Sequence, residues 1–184
     1  MIQPDGLLDH ALVALAGSGP GRPPEVDLRR GVSAAYYAVF HDLTDRAARH
    51  LIGSAPEGTR NKIRRTWSHG ELSTLAEIMV DRAPCAGGRT PQHRYRRRRA
   101  RAGPLVDLAA ADPDLVEALR LFGELQAARH RADYDHDARF DKVTLLTACR
   151  DAATARGLAT SASAASREAL FTLLTLRRSD FKER

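Results

Sequence analysis

The 184-residue chain contains no apolar run near the roughly 20 residues needed to span a bilayer, which excludes a transmembrane helix. Its first residues, Met1-Ile2-Gln3-Pro4-Asp5-Gly6, lack the basic start and continuous apolar centre of a signal peptide, so a cytoplasmic protein is expected. Cysteine is scarce. Cys85 and Cys149 lie far apart without neighbouring ligands, so neither a disulfide framework nor a zinc knuckle is suggested, and no metal or cofactor is expected. Lysine is nearly missing, only Lys62, Lys142 and Lys182 occurring, and arginine carries the positive charge. No internal repeat is present. With 43% hydrophobic and 28% charged residues, the chain can bury a core and is read as one domain over residues 1–184.

The formal net charge of +6 is local. His93-Arg94-Tyr95-Arg96-Arg97-Arg98-Arg99-Ala100-Arg101 holds six arginines, and +6 − 6 leaves the rest of the chain formally neutral. Such a block, with a tyrosine inside it, can grip phosphates and stack on an unpaired base. It can equally be a solvated linker or meet an acidic protein.

Hydrophobic spacing predicts helices and almost no strands. Leu7, Leu8, Ala11, Leu12 and Leu15 form a short stripe that ends at the Gly/Pro-rich stretch 17–24. A longer helix is expected from about Val26 to Leu51, with Leu28, Val32, Ala35, Tyr36, Val39, Phe40, Leu43 and Ala47 on one side. A weaker one covers Arg60 to Thr66, and Ser68 with Glu71 resembles a capping box for a helix reaching about Asp81. Ala83 to Ala110 reads as an irregular insertion that contains the arginine block. Asp112-Pro113-Asp114 is a helix start, followed by Leu115, Val116, Ala118, Leu119, Phe122, Leu125 and Ala128 at three- and four-residue steps. A helix through Val143–Ala152 is expected to loosen or end at Gly157, and a last one is marked by Ala169–Leu176. Short connections favour an antiparallel helical bundle.

The segment Arg129-His130-Arg131-Ala132-Asp133-Tyr134-Asp135-His136 places two arginines, two histidines and carboxylates where an apolar helix runs out. Histidine exchanges protons near neutrality, and a guanidinium supplies permanent donors to phosphate oxygens, so the set suits phosphoryl transfer. A charged, solvated helix end with Arg–Asp pairing is the other reading.

Two segments together carry a resemblance. Leu28-Arg29-Arg30-Gly31-Val32-Ser33-Ala34-Ala35-Tyr36-Tyr37-Ala38-Val39-Phe40-His41 resembles the "YYAxFH" helix of the all-helical HEPN family, and Arg129–Asp135 is similar to the "RxxADYD" segment of one of its branches. The resemblance covers roughly Leu7 to Leu176, with the arginine-rich insertion as an embellishment. It implies a HEPN-type helical bundle, and for many members a metal-independent endoribonuclease activity whose signature is an arginine and a histidine four to six residues apart. Arg129 followed by His130, with six residues before His136, satisfies this signature, and Arg131 is the alternative arginine.

On that reading His136 removes the proton of a 2′-hydroxyl and Arg129 stabilises charge on the attacked phosphate. Asp133 orients a neighbour, and His130 donates a proton or contacts substrate. RNA is held by Arg131 and by Arg94, Arg96, Arg97, Arg98, Arg99 and Arg101. Tyr37, His41 and Tyr134 border the site, and Tyr36 packs beside it. His10, His50, His69 and His93 read as surface residues, and Trp67 as a loop anchor. The resemblance further implies a homodimer with RNA across a shared cleft, and a toxin paired with a nucleotidyltransferase-type antitoxin. The tyrosine that follows the histidine after one residue in such toxins is missing, since Asp137 and Ala138 follow His136. The runner-up is a non-catalytic HEPN adaptor for a nucleotide or a nucleotidyltransferase. A DNA-binding protein is weaker, because the basic residues lie in a loop rather than on a recognition helix.

Overall fold

The computed structural model describes residues 4–16, 23–80 and 103–176, and all regular structure among them is α-helical. The eight helices are α1 (Pro4–Ala16), α2 (Glu25–Ile52), α3 (Glu57–Arg64), α4 (His69–Val80), α5 (Gly103–Ala110), α6 (Pro113–Tyr134), α7 (Lys142–Ser161) and α8 (Ala164–Thr175). The all-α expectation is met. No described helix is long and apolar enough to cross a membrane.

Helix starts follow the sequence closely because the caps are local. Ser68 Oγ accepts from the Glu71 N–H at 3.2 Å, and Glu71 Oε2 accepts in return from the Ser68 N–H at 2.8 Å, so two otherwise unpaired donors are satisfied. Asp112 Oδ1 accepts from the N–H groups of Asp114 (3.0 Å) and Leu115 (3.3 Å), with Pro113 in the first turn where its missing N–H costs nothing. Ser163 caps α8 by accepting from the Ser166 N–H.

Three boundaries differ from the sequence reading. The last eight residues of the expected insertion are helical: Val106, Ala109 and Ala110 are buried, and α5 packs on α4 and α8, so tertiary burial overrides the loop signal of Gly103-Pro104. Gly157 neither loosens nor ends α7. A helical glycine costs about 1 kcal/mol relative to alanine, and buried Ala152, Ala155 and Ala159 carry the helix past it to Ser161. The weak helix starts three residues earlier than expected, at Glu57 after the Pro56 N-cap.

The described residues fall into two compact units. The first, within Met1–Leu43 and Leu121–Gly157, buries Leu28, Val32, Ala35, Tyr36 and Val39 of α2, Phe122 and Leu125 of α6, and Leu145 and Ala152 of α7. Tyr36 and Phe122 have ring centroids 5.3 Å apart, and burial pushes the Tyr36 hydroxyl well above its ordinary range. Gly31 lets α2 approach α7 closely, since a Cβ there would lie 2.7 Å from Leu145 Cδ1. The second unit, within Thr44–Arg120 and Leu158–Arg184, buries Leu72, Leu75 and Met79 of α4, Val106 and Ala109 of α5, Leu115 and Leu119 of α6, and Leu170, Leu173 and Leu174 of α8. Trp67, expected as an anchor, is buried there. Leu51, at the end of the long stripe, is 41% exposed.

Candidate functional site

Along α2, Arg29, Ser33, Tyr37 and His41 recur every fourth residue and so share one face. The last turns of α6 present Arg129, Asp133 and the residues between them. Within the first unit these two stretches meet. Ser33 Oγ donates to Asp133 Oδ1 at 2.6 Å, Arg129 Nη2 donates to the Tyr37 hydroxyl at 3.1 Å, and Arg129 Nε lies 2.6 Å from Asp133 Oδ2. The last contact is an ion pair by distance, because the buried Nε–H has no well-directed acceptor. The Arg129 guanidinium also sits over the rings of Tyr37 (5.6 Å) and Tyr134 (5.4 Å).

The Arg–Asp pairing weighed from sequence is therefore present, and it is modest in energy. The two side chains keep 21% and 28% of their exposure, so water screens the pair and its net stabilisation is below about 1 kcal/mol. Desolvation by burial works against the Arg129 charge, but the Tyr37 hydroxyl and the Asp133 carboxylate outweigh it, holding the guanidinium more firmly protonated than usual. This is an orienting arrangement: one donor group fixed by two partners on an otherwise accessible surface.

Tyr37 stacks on His41 with centroids 5.9 Å apart, and the exposed His130 ring lies 4.9 Å from that of Tyr134. Arg131 is exposed, and Ala132 beside it is buried.

His136 lies two residues beyond α6, in a turn whose backbone is held from two sides. Asp135 Oδ1 accepts from the N–H groups of Asp137 (3.0 Å) and Ala138 (3.1 Å). Arg29, from α2, donates to the carbonyl oxygens of Ala132 (3.0 Å), Asp135 (2.8 Å) and Ala138. Glu25 accepts from Arg29, and the guanidinium lies 4.9 Å from the Phe140 ring centroid. The imidazole of His136 is exposed and makes no hydrogen bond or ring contact among the described residues. Its main chain is fixed while its side chain faces solvent.

Arg29 is the structural residue that sequence reasoning did not single out. Only its four-residue spacing from Ser33 and Tyr37 hinted at it; the carbonyls it clamps lie more than 100 positions away. The arginine block Arg94, Arg96, Arg97, Arg98, Arg99 and Arg101 falls outside the described residues.

A shallow cleft of about 630 Å³ opens beside the network, lined by Leu7, Val26, Arg29, Arg30, Ser33, Ala34, Tyr37, Ala132, Asp133 and Tyr134. No cluster of histidine, cysteine and carboxylate side chains suited to a metal occurs among the described residues. No family model, curated protein or solved structure was found to match the chain.

Proposed function

We propose that the chain is a metal-independent endoribonuclease of HEPN type, a helical bundle that acts as a homodimer in the cytoplasm as the toxin of a toxin–antitoxin pair. The observation that carries this reading is the Arg129 guanidinium, oriented by Tyr37 and Asp133 on the same helix end whose following turn presents the solvent-facing His136. In RNA a 2′-hydroxyl can attack its own phosphate once a base removes its proton, and a neutral imidazole is suited to that at physiological pH. Charge accumulating on the phosphate oxygens would be met by the remaining Arg129 donors. Asp133 then serves as a positioning residue for Arg129. His130 and Arg131, both exposed, would contact the strand, and the arginine block would grip it farther along. A nucleotidyltransferase-type antitoxin is the partner this reading implies.

Purified protein should cleave RNA in the presence of EDTA and leave a 2′,3′-cyclic phosphate, and His136→Ala should remove the cleavage. A strict magnesium requirement, or unchanged cleavage by the variant, would sink the reading. Light scattering at micromolar concentration should report a dimer.

A second reading has its own observation. Arg129 is already engaged by Asp133 and Tyr37, and nothing on the described surface holds the His136 imidazole, which supports a non-catalytic HEPN module that binds a nucleotide or a nucleotidyltransferase. Binding of RNA without any cleavage would select it.

A further inference from the structure

We propose that the cleft beside Arg129 is a seat for one unstacked nucleotide, with its base on the Tyr134 ring and its phosphate on Arg30. Three features of the cleft define that ligand. Leu7, Val26 and Ala34 give it an apolar side, and Val26 and Tyr134 remain 51% and 60% exposed, so both stay open to a ligand. Tyr134 already has one ring face toward the Arg129 guanidinium and lies near His130, so the phenol is steadied by neighbours while much of it stays open to a stacking partner. Arg30 is exposed and makes no hydrogen bond or ion pair among the described residues, whereas Arg29 beside it is fully committed to carbonyls and Glu25.

An aliphatic ligand would use the apolar side and leave Arg30 and the ring unused. An acidic peptide would use Arg30 alone. A planar, weakly polar ring carrying one phosphate uses all three, and a volume of about 630 Å³ is ample for a single nucleotide. The Ser33–Asp133 pair at the cleft edge offers a carboxylate acceptor to a base amino group. A base inside a duplex cannot present its face to a tyrosine, so the seat selects single strands. The proposal rests on the ribonuclease reading only for the source of the nucleotide, a strand rather than a free monophosphate.

The test uses the full chain and a fluorescein-labelled, fully 2′-O-methylated hexanucleotide, which lacks the attacking hydroxyl and so reports binding without chemistry. Tyr134→Ala should weaken binding by about tenfold, Tyr134→Phe should keep it, and Arg30→Gln should weaken it several-fold and flatten its salt dependence. Leu146→Ala, an exposed site on α7, is the control. All of these side chains are exposed, so circular dichroism should show each variant folded. Failure of both the hexanucleotide and the mononucleotides to bind, or equal binding by Tyr134→Ala and the parent, overturns the seat. Titration with AMP and UMP identifies the source: a Tyr134-dependent response to mononucleotides alone supports the seat and assigns it to free nucleotide. Cleavage of unmodified RNA, scored separately, keeps the two claims distinct. Tyr134-dependent binding without cleavage preserves the seat and removes the ribonuclease, whereas cleavage indifferent to Tyr134→Ala does the reverse.

Discussion

Polar side chains are used differently in the two units. Within Thr44–Arg120 and Leu158–Arg184 they mainly close helix ends: Ser68 with Glu71, Asp112 with Asp114 and Leu115, and Ser163 with Ser166 each span two or three residues. Two longer bonds, from the Ser163 N–H to Asp112 and from Ser166 Oγ to the Leu108 carbonyl, bridge 51 and 58 positions at the start of α8. Within Met1–Leu43 and Leu121–Gly157 they join residues 92 to 109 positions apart, as in Ser33–Asp133, Tyr37–Arg129 and Arg29–Ala138. Caps answer backbone donors that every helix leaves unpaired, so they contribute to stability. The half-exposed Arg129–Asp133–Ser33 contacts answer no such need and add little net energy. A network that stabilises little yet fixes a cation beside a cleft is accounted for by orientation of that cation.

The sharpest way to break this contrast is to separate activity from stability. On the proposed function, Arg129→Ala and His136→Ala should each lower RNA cleavage by roughly 10²- to 10⁴-fold, the range for loss of an acid–base or charge-stabilising group. His136→Ala, a change at an exposed turn, should shift the thermal midpoint by no more than about 2 °C. If Arg129→Ala melts the protein while leaving cleavage intact, the network is structural and the contrast fails.

Arg29→Ala comes next and should do both kinds of damage. It leaves the carbonyls of Ala132, Asp135 and Ala138 without this donor, and Glu25 keeps only Arg139 as an ion-pair partner among the described residues. Urea titration should show a loss of about 1–3 kcal/mol, and cleavage should fall because the turn carrying His136 loosens. Arg29→Lys should recover only part of either, since an ammonium gathers its donors on one atom and cannot span the separated carbonyls and Glu25 as the wide guanidinium fork does. Unaltered stability and cleavage in Arg29→Ala would mean that the Asp135 turn alone fixes the segment.

The same division explains what was legible in the sequence. The helices, their caps and the apolar stripe from Leu28 to Ala47 could be read because each depends on neighbours within a few residues. Arg129, Asp133, Tyr37 and Tyr134 were also found, by their spacing and their motif likeness, and they do lie together. The role of Arg29 could not be read, because its acceptors are main-chain carbonyls, which have no residue type to betray them. Helix α5 was hidden for a related reason: its eight residues hold too few turns to show a period, and burial against α4 and α8 decides their conformation.

The smaller effects test the capping side of the contrast. Asp112→Ala should cost about 1 kcal/mol, read as a lower denaturation midpoint, and leave RNA cleavage per folded molecule unchanged. A drop in cleavage without a drop in stability would place Asp112 in the working site and blur the division. In Ser68→Ala the reciprocal bond from the Ser68 N–H to Glu71 survives, so the loss should be smaller, about 0.5 kcal/mol.

The subtlest effect is the acid response of Asp112. Its carboxylate accepts from the Ser163 N–H at 2.6 Å as well as from Leu115 and Asp114, and these bonds, that of Ser163 foremost, hold its pKa below the ordinary 3.8. A carboxyl whose pKa is lower in the folded chain than in the unfolded one adds stability at all pH values above 3.8. That contribution fades as pH falls below 3.8 and through the folded value, where the folded state too takes up the proton. Glu25 and Glu117, lowered by their bonds to Arg29 and Arg120, share the trend, so the parent protein alone cannot isolate it. Asp112→Asn can, because it keeps one capping oxygen but has no charge to lose. Urea midpoints of the two proteins should differ most near pH 6 and converge toward pH 2, with the parent falling faster. Parallel curves would show that the charge of Asp112 contributes nothing to folding, leaving its cap as a neutral hydrogen bond.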